Sequence, residues 1–177
     1  RQIMLRIMTI VGARPQFVKV ASISKVIAED DRISEVLVHT GQHFDQNMSD
    51  IFFEEMAIPK PDYNLNIHSV GHGAMVGRQL EAIENILIKE KPDLVLVYGD
   101  TNSTLAGSLA AAKLNIPVAH VEAGLRSFNR IMPEETNRVL TDHLSDLLFA
   151  PTQNAKKNLI AEGISSDKIF MIGDVML

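Results

Sequence analysis

Three carboxylates stand at or just beyond the ends of apolar, strand-like runs or at a helix start, and they carry most of the chemistry this sequence offers. Asp100 lies in Val97-Tyr98-Gly99-Asp100-Thr101-Asn102-Ser103-Thr104, Glu122 in His120-Val121-Glu122-Ala123-Gly124-Leu125-Arg126, and Glu134 in Pro133-Glu134-Glu135-Thr136-Asn137-Arg138. Open α/β sheets gather their ligands at the carboxyl ends of strands. Three acids delivered to one crevice would suit proton transfer. The first apolar run ends in Gly12-Ala13-Arg14-Pro15, where Pro15 suits an opening helical position. Free N–H groups and the helix dipole there favour an anion. Arg14 and, a turn on, Lys19 add a cationic grip suited to a diphosphate.

Each residue also has a plainer explanation. Asp100 precedes Thr101, Asn102 and Ser103, and all four are favoured helix caps, so capping is the better account of Asp100 taken alone. Glu122 could pair with Arg126. Glu134 and Glu135 suit the first turn of a helix, and Arg138 could pair with either of them on the helix surface. Arg14 and Lys19 could be exposed cations at a helix start. His68 and His72 read as solvated residues of a long loop from Ala57 to Gly73, and His143 as a surface residue.

The elements that must position these residues alternate. Apolar runs at Leu5 to Val11, Val36 to His39, Leu94 to Val97, Val118 to Val121, Leu147 to Ala150 and Ile169 to Ile172 are continuous, as parallel strands covered on both faces require. Between them, Phe17 to Ala28 and Met75 to Lys89 repeat apolar residues near the helical period, and Thr104 to Leu114 is rich in small residues that let a helix approach a sheet closely. The order predicts an α/β, Rossmann-like doubly wound parallel sheet with helices on both faces and right-handed crossovers.

Composition narrows the function classes. The 177 residues, 46% hydrophobic, suffice for one domain with its own core. A net charge of −5, with scattered basic residues, argues against a nucleic-acid or membrane-surface partner. There is no cysteine, and the six histidines lack ligand spacing, so no metal site is expected. No apolar run approaches the roughly 20 residues of a membrane span, and no signal peptide is apparent, which favours a cytoplasmic location. Gly-x-Gly-x-x-Gly and Walker patterns are absent, which lowers the rank of nicotinamide and ATP chemistry. The chain opens on Arg1 and closes just after an apolar run, which reads as part of a larger protein.

Taken together, Gly12-Ala13-Arg14-Pro15-Gln16, His39-Thr40-Gly41-Gln42-His43, Tyr98-Gly99-Asp100-Thr101, His120 to Arg126 and Pro133 to Arg138 resemble, in order and spacing, the non-hydrolysing UDP-N-acetylglucosamine 2-epimerases. The resemblance implies one half of a two-domain GT-B fold. Residues 1–177 would form its N-terminal domain, and the nucleotide-binding C-terminal domain would lie elsewhere. It implies C2 inversion of a UDP-sugar without redox cofactor or metal, by elimination and re-addition of UDP through a 2-acetamidoglucal. Asp100, Glu122 and Glu134 would be the catalytic acids. Arg14, Lys19, Gly12 and Arg138 would serve substrate binding, and a homodimer would form through the N-terminal domain. Two segments depart from many bacterial members: Gln42-His43-Phe44-Asp45, where those members help bind a second, activating substrate, and Ser127 to Pro133. Both look more like the branch acting on UDP-2,3-diacetamido-glucuronate for surface polysaccharides, whose carboxylate Arg130 could meet. The domain alone is expected to have little or no activity. The competing classes are a UDP-sugar-dependent glycosyltransferase and a non-catalytic sugar-nucleotide-binding domain.

Overall fold

The computed structural model describes residues 3–43 and 50–173. Phe44, Asp45 and the last four residues of the chain lie outside them. Seven parallel strands form one sheet in the order β3-β2-β1-β4-β5-β6-β7. They are β1 (Leu5–Val11), β2 (Ile33–His39), β3 (Tyr63–Asn64), β4 (Leu94–Tyr98), β5 (Val118–Val121), β6 (Leu147–Ala150) and β7 (Ile169–Met171). The connecting helices are α1 (Arg14–Ala28), α2 (Asp50–Glu55), α3 (His72–Glu90), α4 (Asn102–Lys113), α5 (Pro133–Leu144) and α6 (Gln153–Ala161). The expected Rossmann-like doubly wound sheet is the fold observed.

Side-chain alternation splits the core across the sheet. Ile7, Val11, Leu37, Leu96 and Val121 face α1 and α2, which contribute Phe17, Val20, Phe52 and Phe53. Met8, Ile10, Val36, Val95 and Val97 face α3 and α4, which contribute Ile83, Leu87, Ala106 and Ala110. Full burial of one such Leu or Ile side chain contributes about 1.5–3 kcal/mol. Because α4 is built from small residues, it lies close on the strands: a Cβ at Gly107 would stand 3.0 Å from Ile10 Cδ1.

Chain order steps outward from β1 to β3, then returns beside β1 to start β4. This reversal is the topological switch point, and the carboxyl ends of β1 and β4 diverge there into a crevice. Gly12 follows β1, Gly99-Asp100 follows β4 and Glu122 follows β5. The apolar runs thus aim the acids of the sequence at one place.

The sequence reading differs at two places. The Ala57 to Gly73 loop contains β3, two residues paired with Val38 and His39, and α3 begins at His72, three residues before the Met75 that opens the helical period.

His39 ends β2 buried at 8% exposure, its ring edge-on to Phe17 at 4.9 Å, with Nε2 lacking a partner. Burial lowers its pKa from 6.5 to about 4. Between those values the unfolded chain binds a proton that the folded chain does not, so folding stability falls as pH drops through that window, by up to about 3 kcal/mol. Urea titrations at pH 7 and pH 4.5 should register this loss, and His39→Phe should flatten it. An unchanged slope in the variant would assign the loss to other groups.

Candidate active site

A cleft of about 380 Å³ opens at the switch point. Asp100, Glu122, Glu134 and Lys19 line it, with Gln16, Gln42, His43, His72, Asn102 and Asn137. The structure therefore brings together the three acids and one of the cations that the sequence singles out.

Both turns that carry the inner acids are tight. Gly99 has φ 68° and Glu122 itself φ 71°. The left-handed region costs a residue with a Cβ roughly 1 kcal/mol or more, and such strain collects at functional sites. Capping of α4 falls to Thr101, whose Oγ1 accepts from Thr104 N at 3.3 Å. The capping account of Asp100 is thereby corrected. Its carboxylate instead accepts from Arg138 Nη2 at 2.7 Å, across from α5. Glu122 pairs with Lys19 rather than with Arg126. Arg126 is drawn into the interior by Asp142 at 2.7 Å and Glu162 at 2.8 Å.

Glu134 is exposed on the first turn of α5 and has no ion-pair partner among the described residues. Its neighbour Glu135 turns inward, 1% exposed. Burial pushes the Glu135 pKa up, but the N–H groups of Ser127 and Phe128 and the Arg138 guanidinium outweigh this and hold it below the usual range. Arg138 thus joins Asp100 to Glu135, at 3.5 Å, with its Nε buried and unpartnered. The expected surface pairing is correct only for Glu135, and it is inside rather than on the surface.

The remaining expectations need adjustment. Arg14 lies outside the cleft lining, exposed, with its guanidinium 4.8 Å over the Phe52 ring. The N–H groups of Gly12 and Ala13 are not free, because both donate to Gln16 Oε1, at 2.7 and 3.3 Å. Gly12 has a packing role: a Cβ there would stand 2.2 Å from Ser103 Oγ and 2.7 Å from Thr40 Oγ1. Gln16 was legible in principle, since Gln three residues into a helix commonly folds back on the cap.

His72 is solvent-exposed, as expected, but it does not lie in a loop. It opens α3, lines the cleft and meets Asn102 Nδ2 with Nδ1 at 2.9 Å. Its tautomer follows from the chain of bonds. Asn137 Nδ2 donates to the Asp100 carbonyl at 3.0 Å and to Asn102 Oδ1 at 3.2 Å. Asn102 therefore turns its amide N–H towards His72, whose Nδ1 accepts, leaving the proton on Nε2. No sequence signal marks His72. Among the described residues no cluster of three metal-ligating side chains occurs, and no helix is long and apolar enough to cross a membrane.

A doubly wound sheet with acids and cations meeting at its switch point belongs to the Rossmann-like domains. Comparison with known proteins narrows the class. The family profile described as UDP-N-acetylglucosamine 2-epimerase matches residues 25–177. UDP-2,3-diacetamido-2,3-dideoxy-D-glucuronate 2-epimerase of Pseudomonas aeruginosa is 62% identical over 97% of this chain and 49% of its own length. The crystal structure of Methanocaldococcus jannaschii UDP-GlcNAc 2-epimerase in complex with UDP-GlcNAc and UDP superposes with TM-score 0.90 at 54% identity, over 97% of this chain and 47% of that one. A galactosyltransferase of the lipopolysaccharide outer core, at 16% identity and TM-score 0.67, shares the fold alone. The chain belongs to the UDP-N-acetylglucosamine 2-epimerase family, and it spans about half the length of the curated relatives it matches.

Proposed function

We propose that the whole protein of which this chain is part inverts C2 of UDP-N-acetylglucosamine, with residues 1–177 as its N-terminal domain. The observation that carries this reading is the meeting of Asp100, Glu122 and Glu134 on one cleft beside Lys19, with Arg138 bonded to Asp100. One of the three, as a carboxylate, takes the C2 proton as the C1–O bond to UDP breaks, giving UDP and a C1=C2 glycal. A β-phosphate oxygen of UDP then re-adds to C1 while an acid protonates C2 from the opposite face. No electrons are exchanged with a cofactor. Lys19, on the cleft, would meet the departing diphosphate, and Arg138, bonded to Asp100 beside the cleft lining, would have to release that carboxylate to do the same; Gly12 keeps the end of β1 close against α4, and Arg14 flanks the cleft. Residues beyond this chain complete the site, so the isolated domain is expected to show little or no turnover.

The 62% identity to the Pseudomonas enzyme supports a second substrate, UDP-2,3-diacetamido-glucuronate. Arg130, in the loop after β5, lines a small cavity with Phe128 and Glu135 that is separate from the cleft, and it would meet the sugar carboxylate only if that loop brought it to the cleft. With either substrate, the reading places the protein in the cytoplasm, in surface polysaccharide synthesis, as a homodimer joined through this domain.

Proton NMR of the full-length protein in deuterium oxide tests the reading with each sugar nucleotide in turn. Deuterium at C2 with a new manno-configured product identifies the epimerase and its substrate. No exchange with either would leave a transferase or a binding domain. Turnover by the isolated domain would overturn the expectation that it is incomplete.

A further inference from the structure

Behind the cleft, where no ligand reaches, lies a charged cluster that the reaction as written does not use. His120 on β5 and Asp142 on α5 are both 0% exposed at their side chains. His120 Nδ1 lies 2.6 Å from Asp142 Oδ1, and Nε2 lies 2.7 Å from the carbonyl oxygen of Gly99. The second Asp142 oxygen accepts from the N–H of Gly124 at 3.0 Å and from Arg126 Nη1 at 2.7 Å. Arg126 is in turn held by Glu162.

The placement of these bonds is what matters. Gly99 immediately precedes Asp100, and Gly124 stands two residues after Glu122. A single buried pair therefore grips both acid-bearing turns at once, one through a carbonyl and the other through an N–H. A carbonyl can only accept, so His120 Nε2 carries a proton. The Asp142 carboxylate, occupied on its other oxygen by two donors, accepts from Nδ1–H. Both turns are left-handed at a critical residue, Gly99 at φ 68° and Glu122 at φ 71°, and such conformations persist only where the surroundings over-determine them.

We infer that His120 and Asp142 are positioning residues: bonded to each other, they fix the spacing between the turn that carries Asp100 and the turn that carries Glu122, and so the alignment of the two acids across the sugar ring. This rests on the reading of the cleft as the epimerase site. Their separation matters because misplacement of a reacting group by about 1 Å can cost on the order of 100-fold in rate.

The test uses the full-length protein. His120→Gln keeps a donor for Gly99 but sets an amide oxygen against the Asp142 carboxylate, acceptor against acceptor. It should lower kcat by about 10- to 100-fold with KM changed less than about threefold. Adding Asp142→Asn lets the new side chain at 142 donate to the one at 120 while its oxygen still accepts from Gly124 and Arg126. The double variant should recover most of kcat. Hydrogen–deuterium exchange should rise in peptides covering residues 97–104 and 120–126 in His120→Gln, fall back in the double variant and stay unchanged in β1. Asp142→Ala severs the same tie from the other side and should raise exchange at the same two turns if His120→Gln fails to fold. A lowered melting temperature with kcat intact, or a double variant no better than the single, would overturn the inference. Wild-type protein without turnover would instead overturn the epimerase reading. Exchange then decides the tie alone, and unchanged protection at both turns would refute it.

Discussion

Asp100→Asn in the full-length protein is expected to lower kcat by two to four orders of magnitude, the usual worth of a positioned acid or base (about 10²- to 10⁴-fold). The substitution is nearly isosteric. Arg138 Nη2, at 2.7 Å from the present carboxylate, can still donate to the amide oxygen. Thr101 still caps α4, so the turn has no reason to unwind. What disappears is the capacity to take or give a proton. Deuterium entry at C2 should fall in step with epimerisation, while KM moves little, because Lys19 is untouched and Arg138 keeps an acceptor at position 100. Retention of more than about a tenth of wild-type kcat would reduce Asp100 to an anchor for Arg138 and pass the proton work to Glu122 and Glu134.

The largest loss of stability is expected from Gly124→Ala. Gly124 has φ 84°, and a Cβ there would stand 2.4 Å from the carbonyl oxygen of Ala155 and 3.0 Å from Leu159 Cγ. The obstacle is the backbone of α6, whose Ala155 is 1% exposed, so no flexible side chain can swing aside. Left-handed strain of about 1–2 kcal/mol adds to overpacking of about 1–3 kcal/mol. A decrease in melting temperature of about 5–15 °C should follow for a domain of this size. Gly99→Ala is the natural control, because it shares the positive φ but its Cβ meets nothing closer than 3.7 Å. It should cost only the strain. Equal melting temperatures for the two variants would mean that α6 is free to slide away from Gly124.

The contrast between those glycines shows what the sequence could and could not convey. Continuous apolar runs revealed six of the strands, because strands covered on both faces need no polar partner in sequence. They hid β3, whose Tyr63 and Asn64 are too few to carry a period, and α2, a six-residue helix. Asp100, Glu122 and Glu134 were legible as a set because their order and spacing are distinctive. Their partners were not. Arg126 stands four residues after Glu122, yet it bonds to Asp142 and Glu162, from α5 and just past α6, because those elements reach it and Glu122 turns towards α1. Likewise Gln16 Oε1 takes the N–H groups expected to serve an anion, a fact decided by one rotamer. Side-chain pairing is a tertiary property, and proximity in sequence is a poor guide to it once both groups are buried.

Lys19 bound to Glu122 and Arg138 bound to Asp100 give the cleft an electrical economy of its own: two of its three acids are already answered by a cation. An entering anion must compete with two carboxylates for the same donors, which tempers its affinity. Once seated on those donors, it would leave the two carboxylates without their counter-ions. A neutral sugar makes no such exchange. On the proposed function, the negative charge of the nucleotide is thus more than a handle, because its arrival would release the acids.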